Sequence, residues 1–145
     1  LPIYGGGINV RDWIHVEDHG RAHIGVLAFG TAGNKYLIGA EEQRRNLDLA
    51  GMICDLVDRV VPRNQPSRAL MKHVADRPGH DHRYAIDSSK VRAEIGWKPS
   101  CSLAEGLEST VRWYIDHKDW WEDIFRSGRY GGERLGLQAT GARGS

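Results

Sequence analysis

Apolar and polar residues alternate from Ile8 to Val16. Ile8, Val10, Ile14 and Val16 fall on one side; Asn9, Arg11, Trp13 and His15 fall on the other. That period of two predicts a half-buried strand. Asp18 is the expected N-cap of a following helix through about Phe29, with Gly30 as its stop. Lys35 to Gly39 is short, apolar and bounded by Gly33-Asn34 and Gly39, which reads as a buried strand. Asn46 is the expected N-cap of a longer helix, because Leu49, Ile53, Leu56, Val57 and Val60 recur at helical spacing until Pro62.

The rest of the chain continues this alternation of elements. Residues 62–70 form a basic loop. His73 to Arg77 and His82 to Ile86 are expected to be extended on either side of Pro78-Gly79. Ser88 caps a short helix carrying Val91 and Ile95, with Gly96 at its C-terminal stop. Ser102 and Glu105 make an S-x-x-E capping box. Behind it Leu103, Leu107, Val111 and Ile115 stack at i, i+4 spacing on a helix expected to reach Lys118, with Trp120-Trp121 and Ile124-Phe125 continuing the packing. From Gly136 onward periodicity vanishes, so 136–145 is expected to be a disordered tail. Short strands between amphipathic helices predict an α/β fold. They are too few for a doubly wound sheet with both faces covered, so one lobe of a larger α/β protein is expected.

Composition narrows the function classes. The chain has 145 residues, 40% hydrophobic and 27% charged, with a net charge of +1. That length supports a real core, and that balance excludes a disordered chain. The missing basic excess argues against nucleic acid as a partner. No apolar run approaches a membrane span, so no membrane partner is expected. The two cysteines form no C-x-x-C pair: Cys54 reads as core, Cys101 as a turn residue, and a reducing, cytoplasmic setting is expected. The chain opens on Leu1-Pro2-Ile3-Tyr4 without an initiator Met, and is expected to be a piece of something longer.

Three clusters can carry chemistry. In the first, Tyr4 stands beside Gly5-Gly6-Gly7 and can offer its ring to a flat base, while Arg11 can grip a phosphate bidentately. In the second, Asn46 opens a helix, and a helix N-terminus favours anions as well as a capping side chain. In the third, Asp76-Arg77-Pro78-Gly79-His80-Asp81 packs an Arg, a His and two Asp into one turn, where Arg77 and His80 can clamp an anion. His15, His19 and His23 recur at i, i+4, i+8. With His15 in the predicted strand, the helix keeps two of them and no third ligand, so no metal site is expected. No glycine fingerprint follows a strand and opens a helix, and no G-x-S-x-G, Walker loop or H-E-x-x-H occurs.

In order along the chain, LPIYGGGINVRDWIHVEDHGRA, YLIGAEEQRRNLDL, VADRPGHDHRYAIDSSKVRAEIGWKP and EGLESTVRWYIDHKDWW resemble the C-terminal portion of the dTDP-glucose 4,6-dehydratases, extended short-chain dehydrogenase/reductases. The resemblance covers residues 1 to about 135. It implies an α/β, nucleotide-sugar binding lobe of an extended Rossmann-type enzyme, without the N-terminal NAD-binding sheet. Those enzymes use bound NAD to oxidise the sugar at C4, eliminate water across C5–C6 and return hydride to C6. It implies that Pro2, Ile3 and Tyr4 lie against the thymine of a dTDP-sugar and that Arg11 and Asn46 lie near its diphosphate. It further implies that Asp76, Arg77, Pro78, Gly79 and His80 close over the nucleotide. The family's glycine fingerprint, catalytic Tyr and Lys, and eliminating acidic pair belong to its N-terminal portion. No catalytic residue is therefore assigned here, and this chain alone is expected neither to bind NAD nor to turn over substrate. Tyr114 and Lys118 match a Y-x-x-x-K spacing, but at the end of a helix whose apolar stripe is complete without them they read as packing and helix-end charge. The family's homodimer contact uses helices of the other portion, so a dimer does not follow. The alternatives are part of a UDP-sugar epimerase or decarboxylase, and a non-catalytic binding or assembly module.

Overall fold

A three-residue strand, β2 (Val10–Asp12), is the pivot of the molecule. It pairs antiparallel with β3 (Gln43–Arg45), Val10 opposite Arg45 and Asp12 opposite Gln43. Its other edge makes a parallel bridge to Arg83, closed by Val10 N–H to the His82 carbonyl at 2.8 Å and Tyr84 N–H to the Val10 carbonyl at 3.0 Å. A second two-stranded sheet pairs β1 (Pro2–Tyr4) in parallel with β4 (Lys72–Val74), Tyr4 opposite Val74. The computed structural model describes residues 1–128. The expected disordered tail, and the last residues of the expected lobe, lie outside them.

Five helices accompany the strands among the described residues: α1 (Val16–Phe29), α2 (Asn46–Val60), α3 (Ser89–Ile95), α4 (Leu103–Asp116) and α5 (Lys118–Arg126). One 3₁₀ turn, Ser67–Leu70, sits in the basic loop. The chain divides into two units, Leu1–Arg112 and Trp113 onward. In the first, Ala22, Val91 and Trp97 form the core where α1 meets α3, and Ile14, Val26, Tyr36, Ile38 and Ile95 pack on it. Ile3, Leu49, Cys54 and Leu56 are also buried. The 3₁₀ turn is tied to α2 by Arg68, bidentate to Asp55 at 2.6 Å on both bonds, and by the Ser67 amide on Asp58 at 2.8 Å. In the second unit Trp113 stacks on His117 and meets Trp120 edge-on, and the Trp121 indole N–H bonds the Tyr114 carbonyl at 2.9 Å.

Several expectations need correction. The strand of nine residues shrinks to three. The polar side of its alternation holds a buried residue, Asn9 at 4% exposure, while Ile8 and Val16 are 52% and 76% exposed. The reason for the buried Asn9 is its partner: Asn9 Nδ2 donates to the Asp81 carbonyl at 3.1 Å. Asp18 is not the cap of α1. His15 holds that position, and the buried Asp18 carboxylate instead receives the Ser100 amide and hydroxyl, both at 2.9 Å. Asn46 is the first residue of α2 and makes no side-chain cap; Arg45 precedes it as N-cap. Lys35 to Gly39 joins no ladder among the described residues, though Tyr36 and Ile38 alternate onto the core as a strand would. Residues 82–86 make only the single bridge.

Other expectations match. Ser102 N–H reaches Glu105 at 2.8 Å and Glu105 N–H reaches the Ser102 hydroxyl at 3.3 Å, a reciprocal capping box at the start of α4. That helix stops at Asp116, short of the expected Lys118, where α5 begins after His117 as its N-cap. Gly96 ends α3 in the left-handed conformation and Cys54 is buried; Ser88 holds the N-cap position of α3 but makes no side-chain cap, its hydroxyl donating to Glu41 instead.

Candidate nucleotide-diphosphate site

Pairing of β1 with β4 brings the first and third clusters together. Tyr4 ends β1 opposite Val74, and the Asp76–His80 turn begins two residues beyond. The Tyr4 and His80 rings then meet edge to face, 6.3 Å between centroids. His80 is fixed from its other side, with Nδ1 2.7 Å from Asp76 Oδ1 and its side chain only 6% exposed. Asp76 Oδ1 also accepts the Arg77 amide at 2.9 Å. The bond to His80 comes first in holding the Asp76 carboxyl below the usual carboxylate range, with help from the Arg77 amide against partial burial. An ionised Asp76 has no proton to give, so Nδ1 of His80 carries the hydrogen and Nε2 is left for a ligand.

Arg11 enters the same region from β2. Its Nη1 donates to its neighbour's carbonyl, Val10, at 2.7 Å, and its Nη2 donates to the Asp81 carbonyl at 3.0 Å. Its guanidinium lies 4.3 Å from the centroid of the Tyr84 ring, a cation–π contact. The Tyr84 phenol donates to the Asp81 carboxylate. That bond first, and the Asp81 charge second, raise the phenol's pKa, against the pull of Arg11 and Arg77. Arg77 is exposed. Three cationic or protonatable groups, Arg11, Arg77 and His80, therefore surround one short turn, and two of them are held by hydrogen bonds.

Asn46 is joined to this group through the backbone. Its N–H donates to the Asn9 carbonyl at 2.9 Å, and the next amide, Leu47, donates to the Gly7 carbonyl at 3.0 Å. The first two amides of α2 are thus already satisfied, which corrects the picture of an open helix terminus waiting for an anion. What Asn46 can offer a ligand is its side chain. Pro2 is exposed on β1, whereas the Ile3 side chain is buried.

Sequence reasoning gave Asn9 and Tyr84 no role beside these residues, and counted Asp81 only as one of the turn's two Asp. The Asp81 carbonyl accepts from both Asn9 and Arg11 and is the point where the turn is pinned to β2. One signal was available: Asn9 lies two residues before Arg11, on the same side of the strand. His15, His19 and His23 do not converge, and no group of three or more metal-ligating side chains exists among the described residues. No described helix is long and apolar enough to cross a membrane.

Comparison with known proteins follows this geometry. Residues 1–110 match the family described as GDP-mannose 4,6 dehydratase. A dTDP-glucose 4,6-dehydratase of Escherichia coli is 47% identical over 130 residues, 90% of this chain and 36% of that protein. Another, of Neisseria meningitidis serogroup B, is 42% identical over 140 residues, 94% of this chain and 39% of that one. Among solved structures, the dTDP-glucose 4,6-dehydratase of Streptomyces venezuelae with NAD and TYD bound is 42% identical at a TM-score of 0.77 and covers 86% of this chain and 36% of its own. The enzyme WbmF of Bordetella bronchiseptica, solved with NAD+ and UDP, is 27% identical at a TM-score of 0.69, covering 89% of this chain and 36% of its own. The chain spans little more than a third of the length of the curated relatives it matches.

Proposed function

The chain belongs to the GDP-mannose 4,6-dehydratase family, and on that premise we propose that it is the part of a dTDP-glucose 4,6-dehydratase that grips the substrate's nucleotide diphosphate. The observation that carries the reading is the convergence of Tyr4, Arg11 and His80 on the turn at residues 76–81. A flat aromatic ring beside a fork of guanidinium donors and an imidazole offers stacking for a base and charge for two phosphates. In this reading Tyr4, Pro2 and the Ile3 backbone face the thymine. Arg11 keeps its hold on two carbonyls and turns the remaining donors of its fork to the diphosphate, with the Asn46 side chain beside it. Asp76 orients His80, while Arg77 and the Pro78-Gly79 bend close over the nucleotide.

The glycine run among the described residues does not fit an NAD fingerprint. The glycine run Gly5-Gly6-Gly7 leads from β1 towards β2, one strand to another, not from a strand into a helix whose N-terminus would meet a pyrophosphate. The chain's own residues are therefore assigned binding and orientation of the nucleotide, and the sugar chemistry is placed outside them. Support for the thymine assignment comes from relatives named dTDP-glucose 4,6-dehydratases at 42–47% identity. A second reading, a UDP-sugar enzyme, rests on the likeness to the Bordetella protein solved with UDP. Calorimetric titration with dTDP and UDP separates the two: tighter dTDP binding supports the first, and a UDP preference supports the second.

A further inference from the structure

Arg11 differs from other arginines of the chain. Arg45 and Arg68 each meet a carboxylate, Asp48 and Asp55, through two bonds. Among the described residues no carboxylate pairs with Arg11. An aromatic ring stands there instead, with the guanidinium carbon 4.3 Å from the centroid of Tyr84. We infer that Tyr84 is a positioning residue, whose ring sets the Arg11 guanidinium so that its full charge and its unused donors face the diphosphate. This rests on the reading that Arg11 meets the diphosphate, and it adds to that reading a residue with a test of its own.

Two residues hold both partners. The Val10 carbonyl accepts Arg11 Nη1 at 2.7 Å and the Tyr84 N–H at 3.0 Å. Asp81 takes Arg11 Nη2 on its carbonyl at 3.0 Å and the Tyr84 hydroxyl on its carboxylate. The ring is thus tethered at its backbone and at its far end, and the guanidinium at two nitrogens. A guanidinium carries five N–H donors in one plane. Two of them meet neutral carbonyls here, which accept a hydrogen without cancelling charge. The Asp81 charge is turned to the Tyr84 hydroxyl. An aromatic face attracts a cation and takes none of its remaining donors. A carboxylate in the same place would occupy the fork and neutralise it, as Asp48 and Asp55 do. An aliphatic side chain would neither attract the cation nor hold its plane.

Titration of dTDP into wild type, Tyr84→Leu, Arg11→Ala and the double variant tests this, followed by amide chemical shifts so that weak binding is still read. The expected result is that Tyr84→Leu weakens binding about three- to tenfold in the wild-type background and less than about twofold in the Arg11→Ala background. A merely structural role would weaken it equally in both. Tyr84→Phe keeps the ring face and recovers most of the loss. Tyr84 is 49% exposed, and circular dichroism with thermal melting checks that the variants fold. Tyr84→Gln, also without a ring, gives the same readout if Tyr84→Leu does not fold. Wild-type affinity in folded Tyr84→Leu, an equal loss with and without the Arg11 guanidinium, or binding as weak in Tyr84→Phe as in Tyr84→Leu overturns the inference and leaves the diphosphate reading standing. A folded wild type that does not bind dTDP removes both.

Discussion

The guanidinium of Arg11 lies 4.3 Å from the centre of the Tyr84 ring while its Nη2 holds the Asp81 carbonyl at 3.0 Å. One side chain thus fixes both the turn and the strand behind it, and its planarity is what allows both contacts. Arg11→Ala is expected to weaken dTDP binding at least tenfold in calorimetry. Arg11→Lys should recover only part of the loss, because an ammonium can neither stack on Tyr84 nor present a fork to phosphate. A lysine variant that binds as well as wild type would mean that Arg11 contributes charge alone.

Asp18 ties the first turn of α1 to the turn after Trp97. Its buried carboxylate accepts the Ser100 amide and hydroxyl at 2.9 Å and the Cys101 amide at 3.3 Å, and Arg21 bonds it as well. Burial pushes its pKa up, but the bonds from Ser100 and Cys101 together outweigh burial and bring it from 3.8 down to about 2. A depressed folded pKa gives stability that is present above about pH 4 and lost as pH falls through about 2. The size is about 2 kcal/mol. Denaturant melts of Asp18→Asn should therefore be less pH-dependent between pH 4 and 2 than those of wild type. Equal slopes would count against this role.

Two glycines with the same backbone φ of +67° separate strain from crowding. A Cβ at Gly7 would stand 2.7 Å from Ile3 Cγ2 and 2.8 Å from Leu47 Cβ, while one at Gly79 would meet nothing within 4 Å. Gly79→Ala should cost only the left-handed penalty, about 1 kcal/mol. Gly7→Ala should cost more, about 2–4 kcal/mol, by adding overpacking where β1 meets the start of α2. Chemical denaturation of the pair checks the order.

At the start of α4, Ser102→Ala removes one half of a reciprocal cap and should destabilise by about 1 kcal/mol. Glu105→Gln should keep most of the stability, since a neutral acceptor can still take the Ser102 amide. Thermal melts of the two variants compare them directly.

The capping box was legible because both its partners lie within one turn of helix. The stop at Gly96 and the burial of Cys54 were legible for the same local reasons. Asn9 and Asp18 were not, because what decides their fate lies far along the chain. Asp81 is 72 residues from Asn9, and Ser100 is 82 residues from Asp18. A period of two told that Asn9 and Arg11 share a side; it could not tell that a carbonyl would arrive there and bury Asn9. Lys35 to Gly39 shows the converse. Its pattern sends Tyr36 and Ile38 inward as a strand would, but a ladder needs a neighbour, which no single segment encodes. Of the candidate site, Tyr4, Arg11 and the turn at 76–80 were readable as residue types suited to a nucleotide. Their convergence required the β1–β4 register and the Asp81 pin.

The most direct test is the mapping of dTDP onto the folded chain by amide chemical-shift changes in a ¹⁵N-labelled sample. The account predicts that saturating dTDP moves Tyr4, Arg11, Asn46 and the turn from Asp76 to Asp81, and that Arg11→Ala, still folded, loses those changes. A folded wild-type sample with no shifts, or with shifts confined to other parts of the chain, would contradict it.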